Sequence, residues 1–152
     1  APDCGYNAGN NLGLQETVTD AVVFLNNDVT ANGDWLAPIR QYLRPGVLVG
    51  AELNPGHHAP VGNRAFAYLS GWCLAGMTKD IRALGGWDET FEEPAYYGDN
   101  DLCWRAKQAG CRFVQLDLPL HHIGNYTTRH VDVTELAQRN YQRFIAKTRG
   151  QV

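Results

Sequence analysis

Much that would decide a function quickly is missing from this sequence. None of the four cysteines (Cys4, Cys73, Cys103, Cys111) is spaced C-x-x-C with another, which excludes a zinc knuckle or a dithiol redox pair. Reduced thiols in a cytoplasmic protein are the expectation. There is no long basic run and the formal charge is only −3, so nucleic acid is not an expected partner and any anionic ligand must be held by local contacts. No apolar run approaches the ~20 residues that span a bilayer. No signal-peptide pattern opens the sequence, and at most peripheral membrane contact is expected. Internal repeats and low-complexity segments are absent.

What is present has the balance of a folded chain. Hydrophobic residues make up 44%, charged residues 19% and aromatics 11% of 152 residues, enough for one ordinary core, so residues 1–152 are expected to form a single domain. The pattern alternates helices and strands. Helices are predicted over Asn10–Thr19, Asp34–Leu43 (with Asp34 as N-cap and Pro45-Gly46 as stop), Thr78–Leu84, Asp99–Ala109 and Val133–Thr148. Strands are predicted over Ala21–Leu25 ("AVVFL", buried on both faces), Val47–Leu53 and Arg112–Leu118. Ala65–Thr78 has strand composition interrupted by Gly71 and Gly76, where something is expected to pack against the backbone. Asn54–Asn63 is a loop, and its His57-His58 pair is expected to be solvated. This alternation predicts an α/β sheet with helices on its faces.

Three groups of residues carry the chemistry. After "AVVFL" come Asn26, Asn27 and Asp28, at a strand's carboxyl end, where ligands of open α/β sheets bind. A carboxylate flanked by amides offers hard oxygen ligands for Mg²⁺ or Mn²⁺; the competing reading is a plain turn. Asp99, in "YYGDNDLCWRAKQAG", is either the N-cap of the helix that follows or a general base in a cleft. Asp101 and Arg105 form an i,i+4 ion pair on that helix. In "LPLHHIGN" one of His121 and His122 can complete a cation's coordination, since adjacent residues on extended chain face opposite ways.

In order and spacing, "CGYNAGNNLGLQ", "VVFLNNDVTANGDWL", "LSGWCLAGMTKDIRALGGWDETF", "YYGDNDLCWRAKQAGCRF" and "LPLHHIG" resemble the inverting family 2 glycosyltransferases of the GT-A fold, the nucleotide-diphospho-sugar transferases. The resemblance runs from about Cys4 to His122. It implies a Rossmann-like GT-A sheet with flanking helices and a metal-assisted transfer of sugar, with inversion, from a UDP-, GDP- or dTDP-sugar to a glycan or lipid-linked acceptor, as in polysaccharide biosynthesis. By that resemblance "NND" stands at the D-x-D-type motif, so Asp28 takes the metal and Asn26, Asn27 and Asn11 the donor side. "GDND" stands at the usual E-D-x-D, which makes Asp99 the catalytic base and leaves Gly98 in place of a common Glu. His121 or His122 inherits the late metal position, and the H-x-x-G spacing to Gly124 favours His121. Gly71, Trp72, Asp88, Glu89 and Asp101 are expected around the substrate pocket, although Trp72 and Trp87 suit a core equally well.

The family's front strand-helix-strand units, with their early Asp for the nucleotide, have no counterpart here. The resemblance therefore implies an N-terminally truncated domain: a fragment, or a chain whose donor binding is impaired or completed by another, with a bare sheet edge favouring homo-oligomers. Two other classes remain open: a non-catalytic relic that binds sugar nucleotide or a partner, and a metal-dependent hydrolase built on Asp28, Asp99 and a histidine.

Overall fold

The computed structural model describes residues 4–56, 66–124 and 132–149. Helix α1 (Tyr6–Glu16) leads into strand β1 (Ala21–Leu25), whose bounds match the predicted strand. The helix begins four residues before the predicted Asn10 because its first turn is pinned from outside: Asn7 N–H donates to Glu93 Oε1 at 2.8 Å and the Tyr6 hydroxyl to Gly71 O at 2.7 Å. Strand β2 (Val29–Ala31), absent from the prediction, comes next, and then helix α2 (Leu36–Tyr42). Asp34 Oδ1 accepts from the backbone N–H groups of Leu36 and Ala37 at 3.1 and 3.0 Å, the start signal expected of it.

Strand β3 (Val47–Gly50) is buried throughout, and the predicted Val47–Leu53 strand breaks after it, resuming as β4 (Leu53–Asn54) paired with β5 (Tyr68–Leu69). Strand β6 (Cys73–Met77) passes directly into helix α3 (Thr78–Ala83). That helix stops at Gly85-Gly86, with φ of 87° and 68°, a left-handed turn that glycine adopts without steric cost. Helix α4 (Gly98–Gln108), strands β7 (Arg112–Gln115) and β8 (Leu120–His122) and helix α5 (Thr134–Thr148) complete the described chain. The His57-His58 pair lies outside the described residues.

The main sheet has the order β1-β6-β3-β7, with β6 antiparallel to β1 and β3, and β3 parallel to β7. The protein is therefore mixed α/β. The register sets Leu25 opposite Cys73, Leu74 opposite Gly50 and Gly50 beside Gln115. So β1, β3 and β7 all end on the edge where β6 begins, and loops from four strands converge there.

Alternation along the strands divides the core between the two faces. Val47, Val49, Cys73 and Ala75 pack with Ile39 of α2, whereas Phe24, Leu48 and Leu74 join Leu14, Ile81, Leu102 and Phe144 from α1, α3, α4 and α5. Gly76 lets the layers close, because a Cβ there would lie 2.8 Å from Leu48 Cδ2. Helix α4 buries Leu102 and Ala106 and leaves Ala109, just past its last turn, exposed. Among the described residues no helix is long and apolar enough to cross a membrane.

Phe144 is fully buried, its ring centroid 5.9 Å from that of Tyr97, just ahead of α4. Phe144→Ala is expected to cost about 3–5 kcal/mol of stability in denaturant unfolding; a loss under about 1 kcal/mol would mean that α5 is not part of the cooperative core.

Candidate functional site

The converging strand ends open into a cleft of about 1420 Å³. On one side stand Asn26, Asn27 and Asp28. Asn27 and Asp28 make the tight turn from β1 into β2, so the turn reading and the ligand reading hold together: the turn is what aims Asp28 into the cleft. Backbone bonds fix it there, from Asn26 N–H to Trp72 O at 2.9 Å and from Ile123 N–H to Asp28 O at 3.0 Å. Strands β2 and β8 pair with Val29 opposite His122. His122 Nε2 lies 3.1 Å from Asp28 Oδ1 and 3.4 Å from Asn26 Nδ2.

Only one of the two histidines reaches the cleft. Alternation along β8 sends His122 inward, while His121, opposite Thr30, is exposed on the other face. The spacing to Gly124 favoured His121, but it is His122 that strand alternation turns into the cleft.

Among the described residues Asn26 Oδ1 is a buried acceptor with no hydrogen-bond partner, and Asp28 Oδ1 has only the His122 imidazole beside it, at 3.1 Å. Two oxygens and an imidazole nitrogen gathered in this way are a ligand set suited to a hard or borderline divalent cation. Among the described residues no group of three or more His, Cys, Asp or Glu side chains is placed to hold a metal. A cation here would draw its remaining ligands from beyond these three side chains.

On the floor of the cleft lies Asp99, in the first turn of α4. Tyr97 precedes it with φ 89°, a backbone state rare for an aromatic residue and costing about 1–3 kcal/mol. The Asp99 side chain is not the N-cap of α4. Its Oδ1 accepts from Asn100 N–H at 2.9 Å, and its Oδ2 crosses to Gly71 N–H, 3.0 Å away between β5 and β6. Partly exposed to the cleft yet close to protein atoms on its other sides, the carboxyl has its pKa pushed up chiefly by burial; Glu52 adds to the rise, and the backbone hydrogen bonds only partly oppose it. Gly71 is where something packs against the backbone: a Cβ there would meet the Tyr6 hydroxyl at 2.7 Å and Asp99 Cβ at 3.3 Å.

Several predicted site residues serve the scaffold instead. Asn11 brackets the turn after α3, with Nδ2 donating to Trp87 O at 2.8 Å and to Glu89 Oε1 at 2.7 Å while Oδ1 accepts from Trp87 N–H at 2.8 Å. Glu89 is thereby tied outside the cleft. Asp88 pairs with Lys147 of α5 at 2.7 Å. Burial alone would raise its carboxyl, but the bonds from Lys147 and Thr90 outweigh that and hold it down at about 2. Asp101 is fully buried beneath α4, 2.7 Å from Arg105 and 2.5 Å from Lys147 Nζ. Arg105 donates onward to the carbonyls of Leu84 and Gly86, so the i,i+4 pair braces the glycine turn and not a substrate. Trp87 is core, edge-on to Tyr6 and Phe24, whereas Trp72 lines the cleft.

Other cleft residues were not among the predicted site residues. Tyr6, Asn7 and Asn10 reach it from α1, and Glu52, Ser70 and Tyr68 from the β3–β4 and β5–β6 region. Burial, Asp99 and Glu52 push the Tyr68 hydroxyl up to about 12.

No protein-family model matches the chain. Among curated proteins it is similar to the pre-mycofactocin glycosyltransferase of Mycobacterium tuberculosis, from strains CDC 1551 / Oshkosh and ATCC 25618 / H37Rv. Each match is 30% identical over 132 aligned positions, covering 71% of this chain and 27% of the relative. The chain thus spans about a quarter of the length of the curated relatives it matches. Its mixed sheet with flanking helices is compatible with a glycosyltransferase-like fold.

The raised pKa of Asp99 has a signed consequence. The folded state holds the Asp99 proton more tightly than the unfolded chain does, so this group's stabilisation is full below about 3.9, the unfolded carboxyl value. It is lost as pH rises through the higher folded value. The melting temperature of the wild type relative to Asp99→Asn is expected to fall as pH is raised from about 4 to 8; a constant difference would contradict the desolvation of Asp99.

Proposed function

We propose that this chain is the catalytic part of a family 2 glycosyltransferase of GT-A fold, which moves a sugar from a nucleotide-diphospho-sugar to an acceptor hydroxyl with inversion. The observation that carries the reading is one cleft with two arms: a carboxyl of raised pKa, Asp99, and the buried acceptor oxygens of Asp28 and Asn26 gathered beside the His122 imidazole. The partial likeness to a glycosyltransferase supports the same class.

In this mechanism Asp99 accepts the proton of the acceptor hydroxyl as that oxygen forms its bond to the anomeric carbon. The bond from that carbon to the diphosphate oxygen breaks from the opposite side, and nucleoside diphosphate leaves with the electron pair. A carboxyl raised by burial is the stronger base for the task, provided it is ionised at the working pH. The two backbone N–H groups hold its oxygens in register, so no reorganisation is needed when the proton arrives.

Asp28, His122 and Asn26 Oδ1 are the groups that would hold Mg²⁺ or Mn²⁺, which when bound supplies Lewis-acid offset of the charge on the departing diphosphate. Donors of the UDP-, GDP- or dTDP-sugar type and a glycan or lipid-linked acceptor are the substrates this assignment calls for.

Asp99→Asn is expected to lower transfer by about 10²–10⁴-fold while leaving nucleoside diphosphate affinity within about twofold, whereas Asp28→Ala weakens the binding of nucleotide with Mn²⁺. Both are read by product formation and calorimetry. Full turnover by Asp99→Asn would overturn the base assignment; nucleotide binding by the wild type with no transfer to any acceptor would favour the non-catalytic reading.

A further inference from the structure

We propose that Trp72 and Glu52 are positioning residues that hold the His122 imidazole ready for a divalent cation shared with Asp28. The inference rests on the metal-assisted reading above and deepens it.

His122 sits near the end of a three-residue strand with 23% of its side chain exposed, a place where an imidazole has freedom to rotate. Metal-binding histidines are usually oriented by a hydrogen bond from the second ring nitrogen to a carboxylate or carbonyl. Among the described residues His122 has no such bond. Stacking takes its place: the Trp72 ring lies parallel to the imidazole, with centroids 4.9 Å apart and planes 16° from coplanar.

The indole is itself anchored at its far edge. Trp72 Nε1–H donates to Glu52 Oε2 at 2.8 Å, and the same oxygen accepts from Ser70 Oγ at 2.9 Å. Asn54 Nδ2 donates in turn to Ser70 Oγ. The backbone carbonyl of Trp72 receives Asn26 N–H, so the residue that stacks on His122 also fixes the strand end that carries Asn26 and Asp28. A line of contacts therefore runs from Glu52 through the indole and imidazole to the Asp28 carboxylate. Glu52 stands in the cleft without facing the cation cluster, and it acts through the ring it holds.

Two measurements test this on the chain as described. In metal-free protein, ¹H–¹⁵N spectra of the His122 ring should show ring-current shifts that disappear in Trp72→Ala, persist in Trp72→Phe and move in Glu52→Gln. Mn²⁺ alone, titrated by electron paramagnetic resonance, should bind Trp72→Ala about tenfold more weakly than wild type, the size expected of a lost aromatic stack. Trp72→Phe, which keeps the stack and loses the N–H that Glu52 holds, should recover only part of that loss, and Glu52→Gln, whose amide oxygen can still accept the N–H, should lie between Trp72→Phe and wild type; a Trp72→Phe affinity equal to wild type would remove Glu52 from the assignment. Thermal unfolding of each variant excludes a folding defect as the cause. Wild-type Mn²⁺ affinity in Trp72→Ala, or a His122 signal insensitive to it, would overturn the positioning role and leave the metal reading standing. A wild type that binds no Mn²⁺ while keeping the ring-current shifts would overturn the metal reading, and the inference with it.

Discussion

The cleft is organised around the hydrogen bond from Gly71 N–H to the Asp99 carboxylate. Placing a carboxylate where protein atoms surround it is costly, and the chain meets that cost with two backbone N–H groups, one from a neighbouring residue and one from across the sheet. The second is available only because residue 71 has no side chain: α1 through Tyr6, the core through Trp87 and α4 through Asp99 all close on that one position. Around it the structure absorbs further strain, since Tyr97 turns the chain into α4 with a positive φ. Helix α5 stabilises that approach, with Asn140 accepting from Glu92 N–H and donating to the carbonyls of Glu92 and Tyr96.

The opposite arm is built on different physics. Among the described residues Asn26 keeps a buried acceptor atom without a donor and Asp28 has only the imidazole beside it, a state that is unfavourable unless something electropositive completes it. Where Asp99 is satisfied by the backbone, this arm is left incomplete, and the asymmetry matches the division of labour proposed: a proton acceptor that needs nothing more, and a cation-and-diphosphate side that does. The pairing of β2 with β8 gives that side its shape, because it brings residues nearly a hundred positions apart to 3.1 Å.

Local signals in the sequence carried most of the element order. Strand β1 ends where polar residues replace "AVVFL", α2 begins at its Asp34 signal and α3 ends at the paired glycines, each a choice settled by nearest neighbours. Strand β2 was invisible because three residues hold no periodicity and the strand exists only through β8. The same reason explains the histidine. Spacing along the chain cannot say which of two adjacent side chains faces inward, and the register Val29 to His122 can. Asn11, Asp88, Glu89 and Asp101 were expected at the pocket from motif position, yet each found a partner in the scaffold first, Lys147 of the distant α5 in two cases. Glu52 and Tyr6 escaped notice because their roles arise from packing between elements far apart in sequence.

The central claim is that the two arms form one site, with the Asp28 side completed by a cation and a diphosphate. Isothermal calorimetry with UDP, GDP and dTDP, each with and without Mn²⁺, tests it most directly. The account predicts that at least one of these nucleotides binds, and binds more tightly when Mn²⁺ is present; no binding of any of them in either condition would contradict it.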